Sequence, residues 1–131
     1  MELEKIRKYI SYFEAVSADT ACRWEKSSEL ADGSLSMPFP IYEPEFLDFV
    51  DNVSASSLMD FAYGNTLEEY GLEMNNELTT RIDTADFQLA KAILTCYIRQ
   101  ERFCDGLWGR AIKEGTFLAL LKRLEILLSR E

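Results

Sequence analysis

Apolar side chains in this chain recur at three- and four-residue steps, a spacing that commits it to amphipathic helices packed on one another. At 100° per residue, Leu3, Ile6, Tyr9, Ile10, Phe13 and Val16 fall on one side of a helix. Near the other end Phe117, Leu120, Leu121, Leu124, Leu127 and Leu128 do the same. With 131 residues, 47% of them hydrophobic, the chain can bury a sizeable core, and its length suits one domain over 1–131. The expected fold is all-α, a compact domain of about five or six helices with one short extended, proline-rich segment.

The punctuation between stripes places the other elements. Continuing the first stripe brings Thr20 and Trp24 onto it, whereas Ser17 and Asp19 could end one helix and cap another, so residues 2–30 read as one helix or two. All three prolines lie in residues 32–44, DGSLSMPFPIYEP, which should be extended with room for one short strand. From Pro44, the residues Phe46, Leu47, Val50 and Val53 form a stripe opposite Glu45, Asp48 and Asp51. Residues 56–73 have helical content that should break at Gly64 and Asn65 and close near Gly71. The next helix is expected to start at a capping Asp83, with Asp86 in its first turn, and to run to about Arg102. A turn or helix over 105–114 follows, and Gly115 and Thr116 restart the chain for the last helix.

Composition removes several kinds of chemistry. The histidine count is zero, which excludes Ser-His-Asp and Cys-His catalysis and every imidazole metal site. Three cysteines, Cys22, Cys96 and Cys104, form no CxxC pair and read as reduced, buried thiols, so neither a metal nor a cofactor is expected. A net charge of −9 disfavours nucleic acid and anionic membrane surfaces as partners. No run of 18 apolar residues or secretion signal is visible, and a cytoplasmic location is the expectation. The charge is also uneven: between Lys26 and Arg81 there are 11 acidic residues and no basic one, whereas 83–131 carry 8 basic and 7 acidic residues. The halves should attract each other, within one domain or across a homodimer.

The stretch from residue 92 to 124 carries Leu94, Thr95, Arg99, Glu101, Arg102, Phe103, Cys104, Asp105 and Gly106, then Trp108, and ends in Leu121, Lys122, Arg123 and Leu124. This pattern resembles the signature region of a bacterial family known as domain of unknown function 6508, and the upstream MPFPIYEPEFLDFV resembles that family's segment ahead of a helix. The resemblance implies a shared fold and brings no functional residue with it.

Candidate site residues therefore come from the residues themselves. On a helical wheel Arg99 and Arg102 share a polar sector with Lys91 and Thr95, and two guanidiniums one turn apart can grip a carboxylate or phosphate, with Trp108 flooring a small pocket. The same arginines could instead pair with the acidic middle of the chain. Glu101 falls about 200° from Arg99, in the apolar face, and should point inward with an Arg or Lys partner and backbone donors, or else stay protonated, as a carboxyl tuned for acid or base work would. Asp105 and Tyr42 complete the candidate set. Phe39 and Tyr42 could line a groove or lay the proline-rich loop over the helices. Leu118 and Ile126 lie off the main stripe of the last helix, which makes that helix central or gives it a homodimer contact.

Three functional readings follow. The first is a non-catalytic binding domain with a protein partner. The second is an anion sensor or enzyme with its pocket at Arg99, Glu101, Arg102, Asp105 and Trp108. The third is an acidic regulator imitating nucleic acid through the faces of Glu45, Asp48, Glu68 and Glu69.

Overall fold

A computed structural model describes residues 2–25, 33, 39–73, 77–104 and 106–130, the side chains of residues 25, 39 and 77 excepted. In chain order these form α1 (Leu3–Ala15), α2 (Ala18–Ala21), β1 (Cys22–Glu25), β2 (Phe39–Tyr42), α3 (Pro44–Ser54), α4 (Tyr63–Glu69), α5 (Glu77–Thr80), α6 (Phe87–Gln100), α7 (Leu107–Glu114) and α8 (Thr116–Ser129). The fold is mostly helical, as expected. The described residues hold more helices than the five or six anticipated because α2 and α5 are single turns of four residues.

The first helix ends at Ala15, and Ser17 caps the next turn by accepting a hydrogen bond from the Thr20 amide at 3.2 Å. Trp24 therefore leaves the helical stripe and sits in β1, which pairs antiparallel with β2 in the register Cys22 to Tyr42 and Trp24 to Pro40. The proline-rich segment does supply a strand; its partner was invisible because four residues, Cys22 to Glu25, carry no alternation long enough to read.

On α3 the buried side chains are Phe46, Phe49 and Val53, while Leu47 is exposed, so the inward stripe lies one step from the expected one. α4 runs through Gly64 and Asn65 instead of breaking there, because both fall in its first turn, where helix-breaking residues cost least. Its end at Gly71 is as expected, with φ of 71°.

The cap of α6 is Asp86, not Asp83: its carboxylate accepts from the Leu89 amide at 2.8 Å, and Ile82–Thr84 form a separate 3₁₀ turn. Tyr70 also donates its hydroxyl to Asp86, and this bond holds the Asp86 carboxyl below its ordinary pKa. Asp86→Ala is expected to cost about 1 to 2 kcal/mol of unfolding free energy, and Asp83→Ala less than about 0.5, by urea titration. Equal losses would mean that the carboxylates share the cap.

α6 is the central helix. Its buried residues, Leu89, Ala90, Ala92, Ile93, Leu94, Thr95, Cys96 and Ile98, surround the axis instead of forming one stripe, as helices covered on several sides do. Next to it, rings from five elements meet: Phe13 of α1, Tyr42 of β2, Phe46 and Phe49 of α3, Trp108 of α7 and Phe117 of α8. Their centroids lie 5.0 to 5.8 Å apart, the spacing of favourable aromatic pairs.

The ion pairs Arg7 to Glu125 at 3.1 Å and Lys122 to Glu14 at 3.8 Å join α1 to α8. Carboxylates of the acidic middle are met by neutral donors: Tyr9 hydroxyl donates to Asp48 at 2.9 Å, Tyr12 to Glu43, and Thr66 to Asp60 at 2.7 Å.

Candidate functional site

α6 stops at Gln100 and the chain tightens into a 3₁₀ turn, Glu101–Phe103, that turns Glu101 into the protein. Only 9% of this residue is exposed, so its inward direction is as expected, although it lies past the helix end. Its partners are as expected only in part: backbone donors are present, a cation is not. In place of an Arg or Lys, Glu101 accepts from the Tyr42 hydroxyl at 2.6 Å and from the backbone amides of Gly106 at 2.7 Å and Trp108 at 2.8 Å.

Those amides belong to the start of α7, where helical N–H groups lack partners within the helix. Gly106, the residue before it, has no side chain to cap with; Glu101, five residues upstream, supplies the acceptor and places negative charge at the positive end of the helix dipole. Gly106 is required twice over. Its φ is 90°, and a Cβ there would sit 2.5 Å from the Trp24 ring. Gly109 likewise lets α7 approach β1, since a Cβ would lie 2.9 Å from Cys22 Sγ. The Gly109 amide donates to Tyr42 Oη at 3.3 Å, so the hydroxyl links β2, Glu101 and α7.

Around this clasp the titratable groups are held in their neutral forms. Burial, reinforced by the hydrogen bond to Glu101, pushes the Tyr42 phenol far above its ordinary pKa. Burial also raises the Cys22 thiol, against an opposing bond from Tyr42. No paired nucleophile and free base result: the carboxylate is occupied by three donors, and the thiol and phenol stay protonated. Among the described residues no three Cys, Asp or Glu converge to hold a metal.

Raised tyrosines recur through the fold. Burial and then a carboxylate neighbour lift Tyr9 to about 12 and Tyr12 higher still, and burial raises Tyr97. A phenol that keeps its proton longer when folded contributes stability that is complete below the unfolded pKa of about 10 and is lost as pH rises through the folded value. Cooperative unfolding is therefore expected above about pH 10, with tyrosinate absorbance and loss of helical circular dichroism rising together. Tyrosinate appearing well before unfolding would show that these hydroxyls are open to solvent.

The remaining candidates separate from the clasp. Trp108 does not floor an open pocket; it packs on Tyr42 and Phe46 and donates its indole N–H to the Tyr97 carbonyl at 2.8 Å. Thr95 is fully buried, not part of a polar face: it donates to the Lys91 carbonyl at 2.8 Å and accepts from the Asp60 amide at 2.9 Å, beneath the turn leading to α4. Arg99 is half-buried. Arg102 is exposed, its guanidinium 4.6 Å from the centroid of the Phe103 ring. Asp105 and its expected role lie outside the described residues, as does the Phe39 side chain. Cys96 is buried as expected and Cys22 is buried too, but Cys104 is exposed, because Glu101 takes the inward position of the turn.

Sequence reasoning missed Cys22, Trp24 and the two glycines. The available signal was the pair Gly106 and Gly109 flanking Leu107 and Trp108, a spacing that marks close approach of another segment to a helix start.

No helix among the described residues is long and apolar enough to cross a membrane. Neither the curated proteins nor the solved structures give a match to this chain. A family model does, over residues 1–130, a span that takes in both strands, the Glu101 clasp and the exposed turn beside it; the chain belongs to the family of unknown function DUF6508.

Proposed function

We propose that this is a non-catalytic interaction domain whose binding edge is the exposed turn after α6 together with β1. The observation that carries the reading is a contrast between neighbours. Glu101, Tyr42 and Trp108 are consumed by internal contacts, whereas Phe103, in the turn ahead of Gly106, is 70% exposed and Trp24, whose ring lies against Gly106, 52%. Large aromatics this open are the residues most enriched as binding anchors.

Arg102 over Phe103 gives the edge a cation, and Arg99 lies one turn behind it. A partner carrying carboxylates and an aromatic ring fits that chemistry. A Glu-Tyr copolymer is the test probe. Binding is expected to shift Trp24 emission and slow alkylation of the exposed Cys104, and to weaken about tenfold in Arg102→Ser and in Phe103→Ser. An unchanged labelling rate, or equal binding by the variants, overturns the reading.

The anion-sensor reading rests on Arg99 and Arg102 and is tested with phosphate and citrate. Thermal stabilisation by either, abolished in Arg99→Lys and Arg102→Lys, would replace a protein partner with a small anion.

A further inference from the structure

On α8 some apolar side chains remain partly open to solvent. Ile126 is 43% exposed and Leu118, two turns earlier, is half-buried. With Ala119, Lys122, Arg123 and Asp83 they line a surface groove of about 270 Å³. Arg123 donates its Nε to the Ala85 carbonyl at 2.8 Å, which fixes the guanidinium at the rim and leaves its terminal nitrogens for another acceptor. Lys122 has only a long, exposed contact to Glu14. The groove is thus an apolar floor with two cations, Lys122 and Arg123, and one carboxylate, Asp83, at its edge, a net positive rim in a chain of net charge −9.

A matching surface exists on α3. Leu47 is 41% exposed, and Asp51 stands exposed one turn further on, with Asp48 alongside. Ile126 and Lys122 are also one turn apart, so an apolar and a charged position repeat at the same ~6 Å spacing on both helices. No ion pair links α3 to α8 among the described residues, although the acidic middle of the chain has no cation of its own. Among the described residues, then, no cation of α8 is paired with a carboxylate of α3.

We infer that the groove on α8 receives α3 of a second copy of this chain, Leu47 entering between Leu118 and Ile126 while Asp51 meets Lys122 and Arg123. This contact joins different surfaces of the two copies, and it is independent of the Trp24 and Phe103 edge.

Sedimentation velocity at rising concentration tests it. The unaltered chain should gain mass. Leu47→Glu and Ile126→Glu should each raise the dissociation constant about a hundredfold, because each buries a charge in an apolar contact. Both lie on the surface, and cooperative urea unfolding confirms that each variant is folded. An equimolar mixture should recover a one-to-one complex, since each variant retains the surface that the other has lost. A chain that stays monomeric throughout overturns the proposal. So does Ile126→Glu dissociating the complex while Leu47→Glu does not, which would mean α8 pairs with α8, or a mixture that remains monomeric.

Discussion

Glu101→Ala is expected to lower the unfolding free energy by about 3 to 5 kcal/mol, because three donors lose one shared acceptor. The carboxylate accepts from three donors on two elements, at 2.6, 2.7 and 2.8 Å. Without it the amides of Gly106 and Trp108 and the Tyr42 hydroxyl lose their acceptor at once, and each buried donor left unmatched costs about 1 to 3 kcal/mol. Water entering the vacated space recovers part of that sum. Glu101→Gln keeps one acceptor oxygen but turns an amide donor toward a backbone N–H, so it should lose about half as much. Tyr42→Phe removes the donor to Glu101 and the long acceptor of the Gly109 amide, and should cost about 1 to 3 kcal/mol. Urea titration with unchanged m-value checks the series; a loss below about 1 kcal/mol for Glu101→Ala would mean that the clasp is hydrated in the folded state.

The clasp also shows where the sequence was legible and where it was not. The stripes of α1 and α8 could be read directly because each helix buries one face, and Gly71 and Gly115 marked helix ends as expected. α6 misled. Its polar sector contained Thr95, which looked solvent-facing on a wheel, yet a threonine can satisfy its hydroxyl on its own helix and be covered by another. Asp83 and Asp86 are both good caps, and only the 3₁₀ turn at Ile82–Thr84 decides between them. Glu101 was read as inward but given a cation, because a sequence shows which residues carry charge and does not show where free amides at a helix start will lie. In this fold those amides and the tyrosines replace basic residues: Tyr9, Tyr12, Tyr42 and Tyr70 each donate to a carboxylate. Two of those carboxylates, Glu43 and Asp48, belong to the segment that has 11 acidic residues and no basic one.

Phe46→Ala should cost a similar amount, about 3 to 5 kcal/mol, for a different reason. Its ring is wholly buried and lies 5.3 Å from Tyr42, 5.5 Å from Trp108, 5.7 Å from Phe117, 5.9 Å from Phe49 and 6.1 Å from Phe13. Truncation leaves a cavity bounded by helices and by β2, and two of these walls, β2 and α7, are held in place by the Glu101 clasp. Tyr42 and Trp108 rest on this ring on one side and are bonded to Glu101 on the other, so the two substitutions share neighbours. Their losses should then fall short of additive by at least about 0.5 kcal/mol, since once Phe46 is gone Tyr42 is already loosened and has less left to lose. The near-ultraviolet circular dichroism of Trp108 should weaken in both single variants. Additivity within about 0.3 kcal/mol, with that signal intact in Phe46→Ala, would show that the aromatic core and the clasp are separate units of stability.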